Sequence, residues 1–359
     1  MKKMQGAKIM QDVKIMQGAK KIQRTKNIQR AIHVYQMTVG KVVIFYTLQD
    51  FLVFYTIFST YARKHGMTIL GLALMYNHIH VLIAADSRTE IRSFVSGYSS
   101  RFVRDYNADA GRKGPLFNMQ FGSAVKYGAK SIRTAAGYLY NNHTNKKLCG
   151  KAQDIRWNFL AYAHNNHPFS EPIIIRKASF HLKQALEMVK AQRRIDNYLN
   201  YTYLKRLYSD LKPSEKEQLT DFIISSYNAV DYTALEQFYR SYEEMLYSFN
   251  ANTFAEYDLP EDASERRGDD RVYNHLAELV LSSGRYEHLK DILILPGIEK
   301  IKLASELRAK SGVSYKQIGA FLQYKIITTP EKISRKEVME AEKMIEESKN
   351  FLKNTQTWN

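Results

Sequence analysis

Asn77-His78-Ile79-His80 places two histidines two residues apart inside the apolar run LALMYNHIHVLI. If that run is a strand, residues i and i+2 share a face, so both imidazoles converge while Ile79 turns the other way. Two neutral imidazoles on one rigid strand make half of a divalent-cation site. The pattern is short, and a chain of this size also produces it by chance. A second pair adds weight. In SIRTAAGYLYNNHTNKK, Tyr138 and Asn142 stand four residues apart, hence on one face of a helix. The Asn142 carbonyl oxygen is a hard donor suited to complete a two-histidine site, and Tyr138 would then stand beside the cation. His143 competes with Asn142 as third ligand. Tyr140 competes with Tyr138, but its i+4 neighbour is Thr144, a poorer ligand, and it points about 160° around the helix. The plain alternative is that Tyr138 only packs an amphipathic helix.

These side chains need a sheet and a helix to hold them, and the flanking pattern supplies both. From Ala31, AIHVYQMT alternates like a strand. A capped helix follows from Thr47 to about His65, closed by Gly66. MTILGLALMY and HIHVLIAA read as two strands meeting near Asn77. Ser87 to Asn107 reads as a helix with Asp86 or Ser87 as cap and Glu90 completing a capping box. After the GRKGP loop, FNMQFGSAVKYG suggests a strand pair or extended segment, and Lys130 to about Lys147 a further helix. This order predicts an α+β sandwich, helices on one side of an antiparallel sheet.

Residues 173–250 are helical by periodicity, with tyrosines at packing spacing. Asp258 to Asp270 reads as a linker. Beyond it, Leu303, Leu307, Val313, Ile318 and Leu322 frame two short helices about a Ser-Gly turn, the pattern of a helix-turn-helix. Ser314, Tyr315, Lys316 and Gln317 open its second helix and are the candidates to read duplex DNA. The expected organisation is a basic low-complexity arm over 1–30, an α+β domain over 31–165, a helical region over 166–300, and the helix-turn-helix with a C-terminal helix over 301–359.

Charge points to a polyanion. The 53 basic and 36 acidic residues give +17, distributed as +8 over residues 1–30, +10 over 31–170, −5 over 171–300 and +4 over 301–359. Two basic blocks around an acidic middle suit contact with nucleic acid at two places. No apolar run approaches the length of a membrane span, and no export signal is read. The single cysteine, Cys149, excludes an intrachain disulfide. A cytoplasmic protein is expected.

IHVYQMT, the Phe45-Tyr46 pair with Asp50 ahead of an apolar helix, LALMYNHIHVLI, GPLFNMQF and YLYNNHTNKKLC occur here in an order that resembles the REP-associated tyrosine transposases. The resemblance covers about residues 31–165, and the joint order is more specific than any single piece. Members typically show M-P-N-H-U-H, with U apolar, and later Y-I-H-x-N-P-V-R-A-G-L. This chain has Tyr76 for the first proline, His143 for the second and Asn145 for the arginine, and keeps both histidines, the tyrosine and the asparagine. The resemblance implies a ferredoxin-like HUH catalytic domain in which His78, His80 and Asn142 hold Mg²⁺ or Mn²⁺. It also implies that Tyr138 attacks the scissile phosphate, leaving a 5′-phosphotyrosine and a free 3′-OH, from which strands rejoin without ATP. The implied substrate is single-stranded DNA carrying a hairpin, with Lys126, Lys130, Arg133, Lys146 and Lys147 as candidate phosphate contacts. Monomer and dimer both remain open. Two other functions compete: a DNA-binding regulator of transposase descent that no longer cleaves, and a metal-dependent hydrolase using activated water.

Overall fold

The computed structural model describes residues 28–85, 87–251 and 269–326. Most of the arm over 1–30, nearly all of the expected linker, Asp86 and the expected C-terminal helix lie outside the described residues.

Seven elements build the region that carries the histidines. Strand β1 (Arg30–Met37) is followed by helix α1 (Leu48–Lys64), strands β2 (Thr68–Met75) and β3 (His78–Ala84), helix α2 (Arg88–Asp109), strand β4 (Gly122–Tyr127) and helix α3 (Gly128–Asn145). The sheet order is β2-β3-β1-β4 and every pair is antiparallel. This is the split βαβ arrangement of the ferredoxin-like fold, with α3 added after β4.

Local chemistry explains the boundaries. Thr47 caps α1, accepting from the Asp50 amide while the Asp50 carboxylate accepts from the Thr47 amide. Gly66 ends α1 at φ +61°. Ser87 caps α2 through the Thr89 and Glu90 amides. β2 and β3 meet through the Tyr76-Asn77 turn, so Met75 pairs with His78. The segment read as a strand pair before α3 holds one strand, β4, and a single bridge from Phe117 to Thr38.

Helices cover both faces of the sheet, not one as the sequence order suggests. Ile32, Val34, Leu72, Ile79, Val81 and Ile83 face the aromatic layer of α1 and α2, where Phe54, Phe58, Phe94, Tyr98 and Phe102 interlock. Ala31, Leu70, Ala73 and Leu82 face α3, packed against Ala135, Tyr138 and Leu139. The reason lies in the strand texture: TILGLALM and HIHVLIA are apolar on both faces, which a sheet solvated on one side does not tolerate. Gly71 sits at a register shift in β2, and a Cβ there would stand 3.2 Å from the Leu139 side chain. That close approach seats α3 on the sheet.

The rest of the chain is helical. Helices α5 (Tyr201–Tyr208) and α6 (Pro213–Ser226) lie against α1, and α4 (Phe180–Arg194) packs on α6; α7 (Tyr232–Glu236) and α8 (Tyr242–Ala251) continue beside β2 and α3. Helices α9 (Arg271–Ser282), α10 (Gly297–Ser311) and α11 (Tyr315–Phe321) pack together. Four tyrosines here are core residues: Tyr201, Tyr208, Tyr227 and Tyr232 are buried and each hydroxyl is hydrogen-bonded. Val313, Ile318, Phe321 and Leu322 join the same core as Phe54 and Phe102. No helix among the described residues is long and apolar enough to cross a membrane.

Candidate active site

β3 positions His78 and His80, and strand alternation turns both toward α3. Their ring centroids lie 4.9 Å apart at an interplanar angle of 89°. The register puts Tyr35 opposite His80 and Met37 opposite His78, so His33, two residues before Tyr35, lies on the same face. His33 Nε2 and His80 Nδ1 are 3.1 Å apart, one donating to the other. α3 carries Tyr138 over these rings: its ring centroid is 5.6 Å from that of His80 and 5.8 Å from that of His33, edge-on to both. His33, His78, His80, Tyr138, Asn142 and His143 are all buried.

His33 carried no sign of this role in the sequence. Its alternation within AIHVYQMT was legible, but the pairing of β1 with β3 that brings it to His80 is a long-range choice of register.

Hydrogen bonds orient the donor atoms. The His78 Nδ1–H donates to Asn77 Oδ1 at 2.7 Å, which leaves Nε2 as the lone-pair nitrogen. The Asn142 amide nitrogen donates to the Tyr138 carbonyl at 3.0 Å, leaving its oxygen as the donor to a ligand. This set, two imidazoles and an amide oxygen, fits a divalent cation of intermediate hardness. Among the described residues no group of three or more His, Cys, Asp or Glu is arranged to hold a metal. His143 has the same arrangement as His78 with its two nitrogens exchanged, and stays a rival to Asn142. Its Nε2–H donates to the Leu74 carbonyl at 3.0 Å and its Nδ1 is buried without a hydrogen-bond partner among the described residues.

Electrostatics favour neutral rings. Burial, then the charges of His80 and Lys126, hold His33 well below the ordinary imidazole range; burial, then His80, Lys146 and His143, do the same for His78. Burial lowers His143 to about 4. Neutral imidazole is the ligating form.

Tyr140, the rival phenol, is committed elsewhere. Its hydroxyl donates to the Leu70 carbonyl at 3.1 Å, its ring stacks on Phe249 at 5.0 Å, and burial raises its ionisation far above the usual range.

Residues 31–142 match the family described as "Transposase IS200 like". This segment belongs to the IS200-like transposases. The match takes in both histidines of β3, Tyr138 and Asn142, and it stops short of the helical remainder. Comparison with curated proteins gives no match. An IS200-like transposase acts on DNA, and DNA transposition is the activity to which this segment is assigned. Of the basic residues expected to touch phosphate, two stand close to the buried imidazoles: Lys126 acts on His33 and Lys146 on His78. The others do not converge there. Lys130 is exposed, Arg133 donates to the Phe238 carbonyl, and Lys147 pairs with Asp269 at 3.8 Å. The helix pair about Gly312 is present, with Gly312 at φ +69° ending α10. Ser314 caps α11 and bonds the Gln317 side chain at 2.8 Å, Tyr315 is half-buried, and Lys316 is exposed.

Of the two positions where the resembling pattern has proline, Tyr76 meets the helical remainder and His143 meets strand β2. Tyr76 packs edge-on to Tyr273 at 5.3 Å and donates to the Asn274 side chain of α9, while His143 fills the space beside Leu74. The Asp270 amide donates to the Lys146 carbonyl at the end of α3.

Proposed function

We propose that the chain is a metal-dependent single-strand endonuclease and strand transferase in which Tyr138 is the nucleophile. The observation that carries this is the Tyr138 ring edge-on to His80 at 5.6 Å, with His78 on the same face of the same strand. The family assignment to transposases supports the reaction class. His78, His80 and the Asn142 oxygen would hold Mg²⁺ or Mn²⁺, which when bound supplies Lewis-acid stabilisation of charge on a phosphate oxygen. Tyr138 Oη forms the new bond to phosphorus and the bond from phosphorus to the 3′ oxygen breaks. The phenol loses a proton and the departing 3′ oxygen gains one, so the step is balanced and the phosphodiester is conserved as a 5′-phosphotyrosine. A second 3′-OH reverses it and joins the strands. Hairpin-bearing single-stranded DNA is the proposed substrate, with Lys126 and Lys146 nearest the cut and Lys130, Arg133 and Lys147 farther out. Helix α11, through Ser314, Tyr315, Lys316 and Gln317, is a proposed duplex contact. Tyr138 is buried in this conformation, so the phosphate gains access only when α3 or a neighbouring element moves.

A labelled hairpin oligonucleotide with Mn²⁺ tests the proposal. The wild type is expected to form a covalent adduct whose mass lies on the peptide containing Tyr138. Tyr138→Phe is expected to lose it, and Tyr140→Phe to keep it while losing about 1 kcal/mol of stability for the missing buried hydrogen bond. Full cleavage by Tyr138→Phe without adduct would favour hydrolysis by water. DNA binding with neither cleavage nor adduct in the wild type would leave the non-cleaving regulator.

A further inference from the structure

One face of α2 presents Arg92, Ser96, Ser100 and Arg104, each four residues from the next and so aligned along one ridge. At 1.5 Å per residue the ridge runs about 18 Å, close to five phosphates at the roughly 3.4 Å spacing of a stacked strand. It forms one wall of a cavity of about 530 Å³ whose other wall is the segment 115–121. No acidic residue lines this cavity. Among the described residues neither Arg92 nor Arg104 has an ion-pair or hydrogen-bond partner, and both are exposed.

The facing wall is apolar and fixed. The Asn118 amide donates to the Met37 carbonyl at 3.0 Å and the Val39 amide to the Leu116 carbonyl at 2.8 Å, tying the segment to the end of β1. This holds Met119 out in solvent, fully exposed, beside a half-buried Phe121. An unshielded thioether and a ring facing a row of cations and hydroxyls form the two-sided surface that single-stranded nucleic acid requires: phosphates on one wall, base faces on the other. The floor is set by Gln36, which accepts from the Tyr98 hydroxyl at 3.1 Å and donates to Ser99 at 2.8 Å. Gln36 lies between Tyr35, opposite His80, and Met37, opposite His78. β4 is the edge strand.

We propose that this groove binds the single-stranded DNA that flanks the cut, Arg92 and Arg104 holding phosphates and Met119 and Phe121 supporting bases. The proposal rests on DNA being the substrate and not on which residue cuts.

The test is fluorescence anisotropy of a labelled oligothymidylate with full-length Tyr138→Phe protein and no added metal, so that cleavage plays no part. Adding R92Q/R104Q is expected to raise Kd about tenfold and to lower the slope of log Kd against log salt by about 1.4, at roughly 0.7 per phosphate contact. R194Q/K216Q, which removes the same charge from exposed positions on α4 and α6, is expected to leave both nearly unchanged. Equal losses in the two double variants would show only the general pull of net charge and overturn the groove. So would an unchanged Kd in R92Q/R104Q, or self-association that M119S abolishes while DNA affinity stays constant. Because the Tyr138 adduct is read separately on protein with the tyrosine intact, adduct formation with unaltered binding by R92Q/R104Q sinks the groove alone. Absence of DNA binding by every protein sinks both readings.

Discussion

A buried imidazole with no acceptor for a second proton makes folding sensitive to acid, and His143 is such a group. Its Nε2–H is engaged by the Leu74 carbonyl and its Nδ1 faces no hydrogen-bond partner among the described residues, so the ring gains nothing from a second proton. Burial lowers its folded-state pKa from 6.5 to about 4. The unfolded chain binds that proton first. Stability from this residue is therefore complete above about pH 6.5 and is lost progressively as pH falls toward 4, at about 1.4 kcal/mol per pH unit and about 3 kcal/mol in total. Metal-free protein is expected to melt markedly lower at pH 5 than at pH 7.5. His143→Gln should remove this residue's share of that dependence and leave the shares of His33 and His78, and an identical pH profile in the variant would assign the acid sensitivity elsewhere. Much of the site at this scale was legible. The i, i+2 histidines and the i, i+4 tyrosine and asparagine fix faces by local periodicity alone. His33 escaped because its neighbour comes from strand pairing 47 residues away.

At the scale of elements, the end of α3 shows how far one helix can be read from the residues that close it. Lys146 is the C-cap, Lys147 follows at φ +61°, the Lys147 amide donates to the Thr144 carbonyl at 2.9 Å and the Leu148 amide to the His143 carbonyl at 2.9 Å. This is a Schellman closure, which favours glycine at the left-handed position. The family pattern has glycine there, and this chain has lysine. A β-carbon in that conformation costs about 1 kcal/mol, whereas an exposed Lys147–Asp269 pair at 3.8 Å returns little. Lys147→Gly is therefore expected to stabilise the protein by about 0.5–1 kcal/mol, read as a higher denaturant midpoint at unchanged slope. A loss of stability would mean that the contact with Asp269 outweighs backbone strain. Capping at Thr47, Gly66 and Ser87 placed α1 and α2 correctly from sequence, because caps are local chemistry. The layer covered by α3 was not read, although the two-faced apolarity of β2 and β3 was its signal.

At the scale of the whole molecule, the helix pair of α10 and α11 is tied to the segment between β1 and α1. The Val43 amide donates to the Ala320 carbonyl at 2.9 Å, Gln323 donates to the Val43 carbonyl at 2.7 Å, and Tyr46 to the Phe321 carbonyl. Lys290, between α9 and α10, bonds Asp50 of α1 at 2.8 Å and Asp109 of α2 at 2.5 Å, while Tyr201 of α5 donates to Asp50 at 2.8 Å. Asp50 is fully buried, so these contacts compensate a charge that water cannot reach. Composition and linker signals divide a chain by sequence, whereas these contacts join distant segments and leave no local mark. Among the described residues, side chains from 31–165, 166–300 and 301–322 share one apolar cluster. Removing 301–359 takes Ile318, Phe321 and Leu322 out of the core, about 4.5–9 kcal/mol of burial at roughly 1.5–3 kcal/mol each, comparable with the whole stability of an ordinary domain. The truncated chain is expected to lose its cooperative melt and with it the Tyr138 adduct. Lys290→Met, which leaves Asp50 and Asp109 without that cation, is expected to cost about 3–5 kcal/mol while leaving DNA-facing residues untouched. A truncated protein that melts at the full-length temperature and still forms adduct would show the C-terminal helices to be an appendage after all.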